Sequence, residues 1–552
     1  GLHAGVVGGG LSLATMGGES TSTVGETTID LINGAVLGVL GGGVAASAEI
    51  SAVKDELFEG TLAQYKDNIL FDDSLEEGGQ ATATSGDVHI IVGEKSSVAG
   101  IVGGGLAAAQ QMWDSTKSST AGVEVGNVQI DIGSTEAAPM FSSEEEKLAY
   151  HENTVSPLLD KVKGYIADQE SIGEFELLGD IVDAAKPGLT IGVLGGGMAL
   201  GYQANNGAPT DSITTAKATS TVKGDIAINV HSGYNIGIFG SGLAASSAAS
   251  VGDETQNAVS SVNDVLITLD GGDTVGVMGG GITFFTGTGE PNKGVSAEST
   301  TVSATIHVTD DAVVDGLVGG GLSIDDSNPK GEDGQYIATK NVSSTVETAN
   351  ILVDSGNVGY IHFEVFNPAQ AESNPGLATY WNSLTYAMLN EKAAIVGGGL
   401  AAGGQGAEDD ESGAAHVGTV NIVLNGQTSA ENEATTVVEG NIFGGGIATD
   451  GAWSSVATSN ISVDGAVVNG DIYGGGLALE GKYMSNGAKD TYNNQSKSTV
   501  DTVNIYLASG EVNGNVYAGG KVSSDSGEGV ASSTVQTANV YLSNDQVLGT
   551  DS

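Results

Sequence analysis

The chain contains no cysteine, so neither a disulfide nor a thiolate metal site holds it together, and stability must come from packing and backbone hydrogen bonds. Arginine is also absent: all 18 basic residues are lysine, against 68 aspartates and glutamates, for a formal net charge of -50. That charge repels a phosphate backbone, and the missing guanidinium removes the usual bidentate donor to phosphates and base edges. Nucleic acid and anionic membrane surfaces are therefore not expected as partners. No run of eighteen apolar residues occurs, so no membrane-spanning segment is expected. Proline is scarce, 8 in 552 residues, whereas glycine numbers 87 without a three-residue period, which excludes collagen and favours short strands joined by turns. Residues 1–5, GLHAG, hold neither an initiator methionine nor a basic leader, and the expectation is a processed or trimmed segment.

What the sequence does have is one phrase said eleven times. GVVGGGLSLA begins at Gly5, and variants begin at Gly38, Gly100, Gly192, Gly237, Gly276, Gly316, Ala394, Asn441, Asp471 and Asn515. A unit recurring through the whole length marks a stacked architecture. Spacing between successive triplets runs from 30 to 92 residues. The shortest spacing fits one turn of about three short strands, and the variation is hard to fit to the near-constant blades of a propeller. The fold class expected is all-β, a parallel β-helix (β-solenoid) of about eleven rungs, forming a single body over 1–552 with partly helical insertions at 53–73, 135–187 and 359–392.

A second phrase precedes most triplets, as in SSTVETANILV from Ser343, SKSTVDTVNIYL from Ser496 and ASSTVQTANVYL from Ala531. Its alternation reads as a half-buried strand with an inward row at Ile29, Ile130, Ile228, Ile267, Ile306, Ile351, Ile422, Ile461, Ile505 and Val540. Two adjacent apolar residues then lead into each triplet, such as Ile238-Phe239 and Ile472-Tyr473. Adjacent strand residues point to opposite faces, so both faces of this strand are expected to be covered. The second insertion opens with a helix-start signature at Ser142-Ser143-Glu144, and the third contains the helical LATYWNSLTYAMLNEK. Both are expected to leave from one corner and to form an accessory surface that buries Leu158, Leu159, Tyr380, Trp381 and Leu384.

The triplets lack the lysine and the following helix of a phosphate-cradling loop, and read as corners that need unusual φ and close approach between rungs. Asn350, Asn421, Asn460, Asn504 and Asn539 recur at one strand position, where stacked amides form a hydrogen-bonded ladder. Ser-Thr pairs such as Ser22-Thr23, Ser344-Thr345 and Ser498-Thr499 would order water if their array were flat and regular. The register drifts at His416-Val417 and Ser455-Val456, however, and ordinary hydroxyl ladders are expected. Acidic loops, Asp72-Asp73, Asp310-Asp311, Asp325-Asp326 with Glu332-Asp333, and Glu408 to Glu411, have ligand chemistry for calcium but match no calcium-loop spacing. No cofactor is expected; calcium is the one candidate. Catalysis has little to build on: Asp30 and Asp131 share a strand position two rungs apart, the 7 histidines form no close metal-ligand pair, and there is no nucleophile elbow.

The combined phrase from Ser498 to Gly520 resembles the repeats of large bacterial surface proteins, the autotransporter passengers and filamentous-haemagglutinin-like adhesins. That resemblance implies a right-handed parallel β-helix, export to the cell surface or beyond it, and a role in adhesion or matrix building, with a host or neighbouring-cell surface or a glycan as partner. The expected function is an extracellular structural protein, an adhesin or filament subunit, and not an enzyme. The alternatives are a polysaccharide-acting enzyme or a calcium-dependent carbohydrate-binding β-helix. The chain starts on a glycine strand and stops after an STV strand, so each end has the half-rung the other lacks. This motivates end-to-end self-association through Val6, Val7, Val535, Val540 and Leu542, with a trimmed longer passenger as the other reading.

Overall fold

The computed structural model describes residues 2–3, 5–15, 18–49, 79–111, 119–134, 143–150, 153, 186–203, 216–248, 258–287, 297–310, 312–327, 342–361, 377–403, 415–426, 436–479, 495–523 and 530–548. The chain is a parallel β-helix. Every strand-to-strand ladder is parallel, and strands group into one sheet of 28 members and one of 11. The smaller sheet is made of the segments that follow the triplets, from Leu11–Thr15 through Met198–Gln203 to Lys521–Ser523. The larger sheet carries the STV strand, its continuation and the strand that approaches the triplet. β-Branched residues dominate it because they pack well on a pleated, half-buried surface.

The core lies between the STV strands and the small sheet. Ile90, Ile130, Ile228, Ile267 and Ile306 are all 0 % exposed, and each such burial contributes roughly 1.5–3 kcal/mol. Alanines at Ala45, Ala107, Ala199 and Ala244 face them from the small sheet. The expected inward row is buried from Ile29 to Ile505, but Val540 is 43 % exposed because it lies on the outermost strand of the stack.

At the triplets, close approach explains the glycines, Gly519 on the outermost rung excepted. None of the described triplet glycines has a positive φ, which corrects the expectation of unusual backbone angles there. A Cβ on Gly104 would lie 2.5 Å from the nitrogen of Gly197 on the next rung, and one on Gly197 would lie 1.9 Å from Ser220 Oγ. Corner amides bond rung to rung, as in Gly41 N to Val102 O at 2.8 Å and Gly42 N to Gly104 O at 2.9 Å. The serines of the STV strand complete the interlock. Ser220, Ser260, Ser344, Ser454, Ser498 and Ser533 each donate to a triplet carbonyl of the preceding rung, at 2.9–3.5 Å. Ser299, at the same position, makes no such bond.

Left-handed φ is needed three residues earlier, at Gly38, Gly100, Gly192, Gly237, Gly276 and Gly316, where φ lies between 69° and 85°. These glycines form a kink that the register skips, Ile191 pairing with Ile236 and Val193 with Ile238. The third insertion leaves at this kink: Gly356–Gly359 and Ala393–Val396 both pair with Val313–Val318, on either side of Gly316. The second insertion leaves after Ser134 and returns at Lys186, at the corner before Leu189–Leu194. The two exits therefore differ, contrary to the expectation of a common corner. A kink is already a local break in pairing, so chain can depart there without losing ladder hydrogen bonds. Beyond it the kink disappears, and Asn441, Asp471 and Asn515 support the strand instead, through Asp471 N to Asn441 Oδ1 at 2.7 Å and Asn515 N to Asp471 Oδ1 at 2.8 Å.

Candidate functional site: the outward columns

On the outward side of the STV strands, parallel register turns each sequence position into a column running along the solenoid axis. In the last five strands one column reads Asn350, Asn421, Asn460, Asn504, Asn539. Each amide nitrogen donates to the preceding Asn Oδ1 at 2.9 Å, and Asn350 Nδ2 donates to Thr305 Oγ1 at 3.1 Å. Two residues earlier runs a column that sequence reasoning passed over: Thr348, Thr419, Thr458, Thr502, Thr537. Its signal was present, since all five asparagines stand in a Thr-x-Asn triplet. The Ser-Thr register also holds where drift was expected, because His416 and Ser455 occupy the column of Thr345 and bond each other at 2.8 Å. Residue type changes there; position does not.

The same asparagine column, followed back through the earlier strands, reads Thr28, His89, Gln129, Ala227, Leu266, Thr305. Here rungs are joined by individual charged pairs. Asp131 takes His89 Nε2 at 2.6 Å, Asn229 Nδ2 at 2.7 Å and Gln129 Nε2 at 2.8 Å. Burial pushes its carboxyl up, but the hydrogen bonds from Asn229, His89 and Gln129 outweigh that and hold it below the ordinary value. His231 meets Asp270, and His307 meets Asp354, each at 2.8 Å. Hydrogen bonding from Asn425, against burial and with help from His307, keeps Asp354 low as well. Asp30 lies two rungs from Asp131 with Ile91 between them, so Asp131 is braced as an anion by neighbours other than Asp30.

A second outward feature is the apolar row beside the triplets. In mid-stack the helix Leu377–Asn390 lies on it, with Leu384, Ala387 and Met388 packed among Val318, Leu322, Ile324, Val396, Leu400 and Phe443. Ser383 on that helix bonds the buried Asp450, whose carboxyl is pushed up by burial against hydrogen bonds from Ser383 and Thr449. Phe443, Tyr473 and Tyr517 stack along the row with centroids 4.9 Å apart. Both faces of the approach strand are thus covered where the helix lies, while Tyr517 is 44 % exposed beyond it. In the second insertion, Ser143 Oγ accepts from Glu146 N at 3.2 Å and caps the helix Glu144–Tyr150, whose Tyr150 packs on Leu189, Tyr234 and Val275. Leu158 and Leu159, the 53–73 insertion and the side chains of Tyr380 and Trp381 lie outside the described residues.

Val6 and Val7 pair with Val39 and Leu40, and Val535, Val540 and Leu542 pair with Val500, Ile505 and Leu507, all on the outermost strands of the stack. Val7 and Leu542 are more than half exposed. Asp325 is buried and Asp326 is half-buried, with Asp326 pushed up to about 6 by burial and by the charge of Asp325. No group of three or more histidines and carboxylates converges among the described residues, which do not include Asp72-Asp73, Asp311, Glu332-Asp333 or Glu408 to Glu411. No described helix is long and apolar enough to cross a membrane. Comparison with family models, with curated proteins and with solved structures returns no match.

Proposed function

We propose that this chain is the shaft of an exported cell-surface protein, an adhesin that presents repeated columns of side chains to a neighbouring surface. The observation that carries the reading is the register. Eleven segments of the small sheet stack in order, and on the larger sheet the same asparagine returns on five successive rungs. Eleven stacked strands extend on the order of 50 Å, and ladder bonds along that whole length make a stiff rod. The resemblance of the Ser498 to Gly520 phrase to bacterial surface repeats points the same way, and a net charge of -50 suits a hydrated exterior surface. Antibodies against the chain should label intact cells that make it, and beads coated with the chain should attach to neighbouring cells. Labelling that appears only after lysis would overturn the reading.

A further inference from the structure

Building on the adhesin reading, we infer that the outward face of the last five STV strands binds a neutral polysaccharide, laid along the threonine and asparagine columns parallel to the solenoid axis. The argument starts from hydrogen-bond capacity. Among the described residues, none of the hydroxyls of Thr348, Thr419, Thr458, Thr502 and Thr537 has a protein partner, and each lies on the outward side of its strand. A side-chain amide has two N–H donors and a carbonyl with two lone pairs, and the asparagine ladder uses one of each. Every rung therefore offers a hydroxyl, an N–H and a carbonyl lone pair at fixed positions. From the first of the five rungs to the last the array spans about 19 Å, four intervals at the strand spacing. That is a linear pattern of alternating donors and acceptors, which matches a chain of sugar hydroxyls.

One column further out the face becomes apolar. Leu352, Val423, Ser462, Tyr506 and Tyr541 share it, and the two tyrosine rings stack at 4.7 Å with exposures of 41 % and 50 %. Tyr541 covers one face of the Tyr506 ring; on the other side stands the small Ser462. An exposed aromatic platform beside a polar row suits the two-sided character of a pyranose, whose C–H face packs on a ring while its hydroxyls bond alongside. A water lattice would use the hydroxyls and leave the tyrosines without a role. Charge narrows the class further: exposed Glu347 and Asp501 lie on one margin of the face, and Asp354 and Asp464 on the other, so an anionic glycan is repelled.

The test is co-sedimentation of the full 552-residue chain with microcrystalline cellulose, chitin and curdlan, and affinity electrophoresis in xylan, mannan and dextran, with polygalacturonate as the anionic control. Retention by at least one neutral glycan, insensitive to salt, is expected, with none by polygalacturonate. The triple variant T419V/T458V/T502V, and separately Y506A, should each weaken retention by about tenfold or more. T84V/T221V/T300V, on earlier rungs, should leave it unchanged. Y506A alters an exposed side chain, so it keeps the test decisive if the triple variant fails to fold. Failure to bind any neutral glycan, or retention unaffected by either variant, overturns the inference. Arrest of ice growth without glycan retention also overturns it and assigns the array to water. A chain that labels intact cells yet binds no glycan leaves the adhesin reading standing, whereas glycan retention by a chain found only inside cells would leave the glycan face standing without the adhesin.

Discussion

The outward asparagine column and its continuation through the earlier rungs occupy the same strand position, yet they join successive rungs by different chemistry. From Asn350 to Asn539 one neutral side chain repeats and each copy bonds the last. From Thr28 to Thr305 no residue type repeats from one rung to the next, and cohesion comes from pairs such as Asp131 with His89 and Lys223 with Glu124, the latter at 2.5 Å. Parallel pairing at this strand position continues from rung to rung through both. What sets the stack is therefore common to both regions, the inward aliphatic rows and the glycine corners, while the outward columns are free to differ.

The largest expected effect tests that common part. Gly104→Ala in the early region and Gly445→Ala in the late one each place a Cβ within 2.6 Å of a backbone nitrogen on the next rung. Both should cost about 3 kcal/mol or more, read as loss of soluble folded protein or a large fall in denaturation midpoint. Gly519→Ala, with nothing within 4 Å of its Cβ, should be silent. If only one triplet variant is damaging, the corners are not equivalent.

Next come the columns themselves. Asn460→Ala removes one ladder bond on each side and should cost on the order of 1–2 kcal/mol. Leu266→Ala, in the same column but 43 % exposed, should stay within about 0.5 kcal/mol. Equal losses in urea titrations would mean that the ladder adds nothing to stability.

Acid should separate the regions. The folded carboxyl of Asp131 is held below its ordinary value, so the stability it lends is present above about pH 4, its unfolded range, and is lost as pH falls through the lower folded value. Hydrogen exchange read by mass spectrometry is expected to show 79–111 and 119–134 opening first on acidification, with 495–523 still protected. Asp131→Asn should flatten that difference.

The smallest effect serves as a control of opposite sign. Asp326 is raised to about 6, so its neutral form is favoured in the fold and ionisation costs stability as pH rises from the ordinary value through 6. Asp326→Asn should raise the unfolding free energy at pH 7.5 by on the order of 1 kcal/mol and change little at pH 4. No gain at pH 7.5 would show that the carboxylate is already well solvated.

The solenoid was legible because its signals are periodic. Alternation around Ile505 and Leu507 and the recurrence of GGG required strands, corners and stacking, and the five asparagines had to fall in one column once the rungs were in register. The threonine column was not legible because strict alternation carried on from the Ser-Thr pair would turn Thr348 and its equivalents inward, whereas two successive residues such as Glu347 and Thr348 both face out. That break in alternation reverses which parity faces solvent, and only the folded strand shows it. Likewise His89 and Asp131 lie 42 residues apart and meet only because rungs stack diagonally as well as directly.

Local sequence, then, determined what each segment must be: β-branched alternation makes a strand, and three small residues make a corner too tight for a side chain. Tertiary structure decided what each segment meets. The triplets are glycine because a neighbouring rung and a serine from the STV strand fill the space a Cβ would take, and the third insertion departs after Gly359, opposite Gly316, because pairing is already interrupted there. The apolar row is buried where the helix Leu377–Asn390 lies on it, whereas Tyr517 beyond the helix is 44 % exposed. Many such contacts join residues distant in the chain, as between Ser220 and Gly105 at a separation of 115, and no local pattern encodes them.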